Sequence, residues 1–155
     1  MFLKTIFVVL FFSINLLGNI TINEKIQQFN LEDQFDKVHQ IKSDTKKLIF
    51  AFSKDIGHNV NDFLEKQDNK YLANKNAQFI IDLSGAPSII RSFFIIPKLE
   101  KYSYSVLIIK DDEVSKKYID EKNVDKVMVV TLDNLNVKSV DFFKTTNELK
   151  TFLEN

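Results

Sequence analysis

The chain has 155 residues and no formal net charge at pH 7, and 45% of its residues are hydrophobic and 27% charged. This length fits one domain with a substantial core, and the composition argues against intrinsic disorder. A neutral chain without a basic run argues against nucleic-acid binding, and the complete lack of cysteine excludes thiol chemistry.

The first 19 residues have the pattern of an export signal. Lys4 precedes a nearly continuous apolar stretch from Thr5 through Phe12, and polar residues follow at Gly18 and Asn19. A membrane-spanning helix needs about 20 apolar residues, which is more than this stretch offers. We therefore predict a signal peptide over residues 1–19, a single domain over residues 20–155, and a periplasmic or secreted location. Because Leu16 stands where a small residue is preferred for cleavage, an uncleaved N-terminal anchor is the alternative.

The first half of the domain alternates strands and helices. Residues 29–41 predict a short extended pair, and residues 48–53 predict a buried strand. A helix is predicted from Asp55 to about Gln67, because apolar side chains recur there at helical spacing. Residues 77–83 predict a second buried strand, with the continuous apolar run of a strand covered on both faces.

The second half continues the alternation and ends in a hairpin. Pro87 or Ser88 is placed to open a helix that should end near Pro97. The remaining predicted elements are a strand over 104–110, a polar helix over 111–122, hairpin strands over 127–132 and 137–143, and a final helix opened by a capping box from Thr145 to Glu148.

Two stretches carry a family resemblance. Phe29 to Phe35 matches an F-x-L-x-D-Q pattern, and Leu48 to Ser53 has the composition of the strand that precedes an active site. Both resemble redoxin-type members of the thioredoxin-like superfamily. The resemblance implies a thioredoxin-like three-layer α/β/α sandwich with a mixed central sheet. It also implies that the junction after residue 53 carries the family's thiols, which this chain lacks, so neither thiol exchange nor peroxide reduction is expected.

A third stretch, from Ile81 to Ser88, is similar to small exported bacterial proteins of thioredoxin-like layout. That resemblance implies no particular activity. It agrees with the export signal.

Asp55 and His58 are the first candidate site residues, because the junction between a strand and a helix is where open α/β sheets bind ligands. In one interpretation His58 is an acid/base group or metal ligand that Asp55 orients. In the other, which we favour, Asp55 is the helix N-cap and His58 is merely exposed.

Asp82 and Arg91 are the second candidate pair. Asp82 ends the next parallel strand, so it should lie at the same sheet edge as Asp55, and Arg91 is the only arginine of the chain. Together they could bind a charged ligand, since a guanidinium recognises carboxylate or phosphate bidentately. The structural alternatives, which we favour, are a salt bridge between the two or an Asp82 that caps the turn from Ser84 to Ser88.

The apolar run from Phe93 to Ile96 marks either a partner surface or core, and core is the favoured interpretation. With two histidines and no cysteine, neither a metal site nor a cofactor is expected. The sequence therefore favours a non-catalytic exported binding or scaffold module for a periplasmic protein or peptide, with no nucleic acid and no membrane contact beyond the N-terminal segment. The alternative is a small-substrate enzyme that uses Asp55 and His58 for acid/base chemistry.

Overall fold

A computed structural model describes residues 20–155, so the predicted signal peptide lies outside the described residues. A seven-stranded mixed sheet forms the centre of this part of the chain. Its strands are β1 (Phe29–Asp33), β2 (Val38–Ile41), β3 (Lys47–Ala51), β4 (Ala77–Asp82), β5 (Val106–Ile109), β6 (Val127–Asp133) and β7 (Asn136–Phe143). The strand order across the sheet is β2-β1-β5-β4-β3-β6-β7.

The three central strands are parallel and the two flanks are antiparallel. β4 pairs in parallel with both β3 and β5, while β1 joins β5, and β6 joins β3, in the opposite direction. The carboxyl ends of β3 and β4 therefore meet at one edge of the sheet, as the sequence predicts.

Six short helical elements connect or follow these strands. They are α1 (Lys54–Leu64), α2 (Tyr71–Asn74), α3 (Ser88–Ile90), α4 (Ile96–Leu99), α5 (Asp112–Tyr118) and α6 (Thr146–Glu154), and a 3-10 turn follows α5 at Glu121–Asn123. The predicted alternation of elements is confirmed. Among residues 20–155, no helix combines the length and apolar character that crossing a membrane requires.

Alternate side chains of the strands face two separate cores. Ile49 and Ala51 of β3 point into one core with α1 and α6, whereas Leu48 and Phe50 point into the other. The second core also receives Val114 and Tyr118 of α5, which is the helix that the sequence predicts as polar. Helices thus cover both faces of the sheet, and the predicted three-layer α/β/α sandwich with a mixed sheet is confirmed.

The last hairpin is closed by a tight two-residue turn. Asn134 and Leu135 both have positive φ angles, of 48° and 66°, as a type I′ turn requires. Leu135 is nonetheless buried in the second core. The predicted hairpin is confirmed, and its turn supplies an apolar side chain to the interior.

α3 and α4 are two ends of one continuous helix, which we call the bulged helix (residues 88–99). Between them, Arg91–Ile95 form a π turn, and the backbone N–H of Ile96 donates to the carbonyl of Arg91 five residues earlier. The helix ends at Leu99, two residues beyond Pro97, near which the sequence predicts its end. The π turn starts a new hydrogen-bonding register at Ile96, so Pro97 occupies a first-turn position where its missing N–H costs nothing.

Candidate functional site

The junction between β3 and α1 is capped by a serine. The side chain of Ser53 accepts a hydrogen bond from the backbone N–H of Ile56 at 3.4 Å, which makes Ser53 the N-cap of α1. The prediction that Asp55 caps the helix was therefore wrong. Asp55 lies exposed in the first turn, where its charge complements the helix dipole without a capping bond.

His58 is close to an acidic residue, but not to Asp55. Its Nε2 lies 3.5 Å from Oδ2 of Asp62, one helical turn further along α1, and the two side chains are 69% and 48% exposed. In the described part of the chain, no hydrogen bond or ion pair joins His58 to Asp55 or Asp82. His58 therefore pairs with Asp62 rather than with Asp55.

Asp82 is used to hold the turn that follows β4. Its Oδ1 accepts from the backbone N–H of Ser84 at 2.9 Å, so the predicted turn-capping role is confirmed. Its Oδ2 accepts from the hydroxyl of Ser115 at 2.5 Å. Since Ser115 is a buried residue of α5, this carboxylate also fastens α5 to the sheet edge.

Arg91 binds the backbone rather than Asp82. Its Nη1 donates to the carbonyl oxygens of Ala86 at 2.9 Å and Leu83 at 3.0 Å. The carbonyls of Lys110 at 3.3 Å and Ser84 at 3.4 Å surround the same nitrogen. The only arginine thus joins the bulged helix to the ends of β4 and β5, and the expected salt bridge with Asp82 is absent among the described contacts.

A buried polar cluster at the β1–β2 turn was not predicted as a site. Oδ2 of Asp33 lies 2.7 Å from Nε2 of His39 and accepts from the hydroxyl of Ser105 at 3.0 Å. Oδ1 of Asp33 accepts from the backbone N–H groups of Phe35 and Lys37. Burial alone would raise the pKa of Asp33, but the hydrogen bonds from His39, these two amides and Ser105 outweigh it and lower the pKa below its usual value.

The neighbouring Gln34 ties this turn to the segment before β5. Its side-chain amide donates to the carbonyls of Tyr104 at 2.8 Å and Leu99 at 3.3 Å, and its oxygen accepts from the N–H of Val106 at 2.8 Å. The phenol of Tyr104 then donates to Asn61 inside α1 at 2.9 Å. The Asp-Gln pair within the F-x-L-x-D-Q pattern was the signal for this network, and its role is structural.

A polar cleft of about 530 Å³ opens between α1 and the start of α6. Asp62 lines it, whereas Asp55, Asp82 and Arg91 do not. Three lysines also contribute to its wall: Lys66, Lys144 and Lys150. The Glu148 carboxylate already accepts from the N–H groups of Lys144 and Thr145 there, so the helix start supplies its own anion. Among residues 20–155, no three acidic or histidine side chains are grouped so as to hold a metal ion.

The bulged helix exposes a set of large apolar side chains that we call the apolar face. Its members and their exposed fractions are Ile89 at 66%, Ile90 at 41%, Phe93 at 72% and Phe94 at 58%. The prediction that the run from Phe93 to Ile96 is core was wrong for Phe93 and Phe94. Only the end of the helix packs inward, through Ile95, Ile96 and Leu99.

No protein-family model and no curated protein sequence matches the chain. Solved structures do resemble it. A candidate protein disulfide isomerase from Bacteroides thetaiotaomicron superposes with a TM-score of 0.59 at 14% identity, covering 89% of each chain. A peroxiredoxin-like protein from Aquifex aeolicus gives a TM-score of 0.53 at 9% identity, covering 89% of this chain and 90% of that one.

A third similar structure is the thioredoxin domain of a thiol-disulfide oxidoreductase from Bacteroides vulgatus. Its TM-score is 0.51 at 12% identity, and the alignment covers 87% of this chain and 99% of that one. The chain thus has a thioredoxin-like redoxin fold, as the F-x-L-x-D-Q resemblance implied. At these identities the likeness establishes the fold alone.

Proposed function

We propose that the chain is an exported, non-catalytic binding or scaffold module that keeps a thioredoxin-like fold without thiol redox activity. The apolar face is the observation that carries this proposal. Its four side chains expose on the order of 500 Å², at about 200 Å² for a fully exposed large apolar side chain. This area is in the range of the largest apolar patch of a typical monomer, a patch that often serves as a contact surface.

The state of the polar residues at the sheet edge supports the same proposal. Thiol exchange and peroxide reduction need a thiolate, and the chain has no cysteine. Both carboxylate oxygens of Asp82 and Nη1 of Arg91 already have hydrogen-bond partners within the protein, so the two residues do not form an open charged pair for a ligand. Recognition is therefore assigned to apolar contact rather than to charge.

Affinity capture from a periplasmic extract tests the module. The bait is the immobilised wild-type chain, compared with a Phe93→Ser, Phe94→Ser double variant and with a Phe35→Ser control. Phe35 lies on the β1–β2 turn and is also 55% exposed, so the control changes a similar side chain at another place. We expect the double variant to lose proteins that both other baits retain. Equal recovery by all three baits would contradict the assigned surface.

Export is supported by the apolar N-terminal stretch over residues 5–12. Cell fractionation tests it directly: the chain should be recovered outside the cytoplasm. Recovery in the cytosol alone would contradict export. The binding surface would then still be tested by affinity capture.

A further inference from the structure

We infer that the occupant of the apolar face is a second copy of the chain, so that two bulged helices pack against each other in a symmetric dimer. This inference rests on the proposed function, because it names the partner of the same surface. Three observations carry it: the shape of the face, its low charge and its area.

The shape of the face suits another helix. The four side chains are exposed on one helix, and Ile89 and Phe93 are four residues apart, as are Ile90 and Phe94, which is about one turn. Pairs at this spacing form the ridges that pack into the grooves of another helix. A short extended peptide needs a concave groove or an open strand edge instead.

The charge of the face suits an identical partner. In a two-fold interface the same patch meets itself, so any free charge near the axis would face a like charge. Residues 88–97 contain one charged side chain, Arg91, and its guanidinium is tied to backbone carbonyls. The face therefore carries one charge, which these carbonyls hold against the protein, and it lacks the row of cations that draws a helix to an anionic bilayer.

The area of the face is enough for the apolar core of a dimer interface. A specific complex buries about 800 Å² on each partner, with an apolar core and a polar rim. The apolar face supplies on the order of 500 Å² for such a core. The flanking Ser88, Ser92 and Lys98 are exposed and would provide the rim.

Sedimentation velocity over a range of concentrations tests the dimer. The full chain is expressed and purified in the form to which the cell processes it. We expect a two-chain species that dissociates on dilution. Phe93→Glu should raise its dissociation constant at least about 100-fold, because it places carboxylates inside the interface. The matched control Phe35→Glu should leave the dissociation constant unchanged.

A second measurement does not depend on how Phe93→Glu folds. Because the chain has no cysteine, a single introduced thiol can form a disulfide only with another chain. Ile89→Cys and Phe93→Cys should crosslink into dimers under mild oxidation much faster than Phe35→Cys. Equal crosslinking at all three positions would overturn the inference, whatever the behaviour of the glutamate variant.

The outcomes also separate this inference from the proposed function. A wild-type chain that remains single at about 100 µM overturns the second copy, and so does a dimer that Phe93→Glu leaves intact. If the chain is single and the serine double variant still loses captured proteins, a different protein occupies the face and the binding module stands. If the chain is a monomer and the serine double variant captures the same proteins as the wild type, both proposals fail.

Discussion

Arg91 shows how a residue with the chemistry of a ligand-binding group can serve the fold. Its Nη1 lies among four carbonyl oxygens that belong to the ends of two strands and the loop between β4 and α3. The sequence could predict that Arg91 lies one turn beyond Pro87. It could not predict the partners, since backbone carbonyls have no signature in the sequence and the Lys110 carbonyl comes from another strand.

Loss of Arg91 should therefore destabilise the fold. We expect Arg91→Ala to lower the free energy of unfolding by about 2 kcal/mol, because several carbonyls lose a charged donor, and Arg91→Lys to lose less. Urea unfolding at one fixed protein concentration measures the change. Lys98→Ala, at an exposed position on the same helix, is the matched control and should have little effect. Equal stability of Arg91→Ala and wild type would contradict the role.

Asp33 should make stability depend on pH. Its pKa is lower in the folded protein than the usual 3.8, so it stabilises the fold above about pH 4, and this contribution is lost as pH falls through the folded pKa. We expect Asp33→Asn to cost about 2 kcal/mol near pH 7, with a smaller difference from wild type at the lowest pH that the fold tolerates. Urea unfolding across this range measures it.

The control for Asp33 is Glu32→Gln in the same strand. Glu32 forms an exposed ion pair with Lys110 at 2.9 Å, a kind of contact that contributes little to stability. If both variants change stability equally at every pH, the buried cluster has no special role.

Among the elements, α6 is the one whose structure agrees best with the sequence-based prediction. The capping box is present: the Thr145 hydroxyl accepts from the N–H of Glu148, and the Glu148 carboxylate accepts from the N–H of Thr145. Both partners are local, within three residues of each other, which is why the pattern alone could predict them.

Removal of the cap should lower the free energy of unfolding by a small but measurable amount. We expect Thr145→Ala to lower the free energy of unfolding by about 1 kcal/mol, as loss of an N-cap does. Thr146→Ala, one residue further on, is the control and should change it by less than half as much, since its hydroxyl is not part of the capping box. Thermal or urea unfolding of both variants measures the difference. A larger loss for Thr146→Ala would place the cap elsewhere.

The bulged helix is the element that the sequence misrepresents. Its apolar run predicts core, yet Phe93 and Phe94 face solvent, and the helix continues two residues past the proline to Leu99. An apolar run shows that a segment is hydrophobic, but it does not show which side of the helix the sheet covers. The π turn also holds one residue more than an α-helical turn, and nothing in the sequence pattern predicts it.

For the whole molecule, element order and strand burial were sufficient to predict the sandwich, because parallel strands need crossover helices on both faces. The side-chain network between Gln34, Tyr104 and Asn61 was not predictable in the same way. Its members lie on three elements that are far apart in sequence, and they meet only once the sheet has formed.

The tyrosines lead to a prediction about the whole molecule in alkali. Burial raises the pKa of all four, Tyr71, Tyr102, Tyr104 and Tyr118, and that of Tyr118 reaches about 12. A raised folded pKa means that stability is full below the usual value of 10.0 and is lost as pH rises from there towards the folded values.

We therefore expect the phenolate absorbance to appear together with the loss of circular dichroism, in one cooperative transition above about pH 10. Tyr118→Phe should move that transition to higher pH, since it removes a group that ionises more easily in the unfolded chain. Phenolate that titrates with an ordinary pKa while the circular dichroism is unchanged would contradict the burial of these rings.

The π turn gives the apolar face a tolerance to a change in chain length. Such a turn holds one residue more than an α-helical turn, so deletion of one residue within Arg91–Ile95 would restore a regular helix. The wide turn already absorbs the extra residue, so Ser88–Ile90 and α4 would keep nearly their present relative orientation. Deletion of Arg91 or Ser92 would leave Ile89 and Phe93 three residues apart, a spacing that still places both side chains on one side of a helix. The gain or loss of one codon at this place is therefore compatible with an unchanged contact surface.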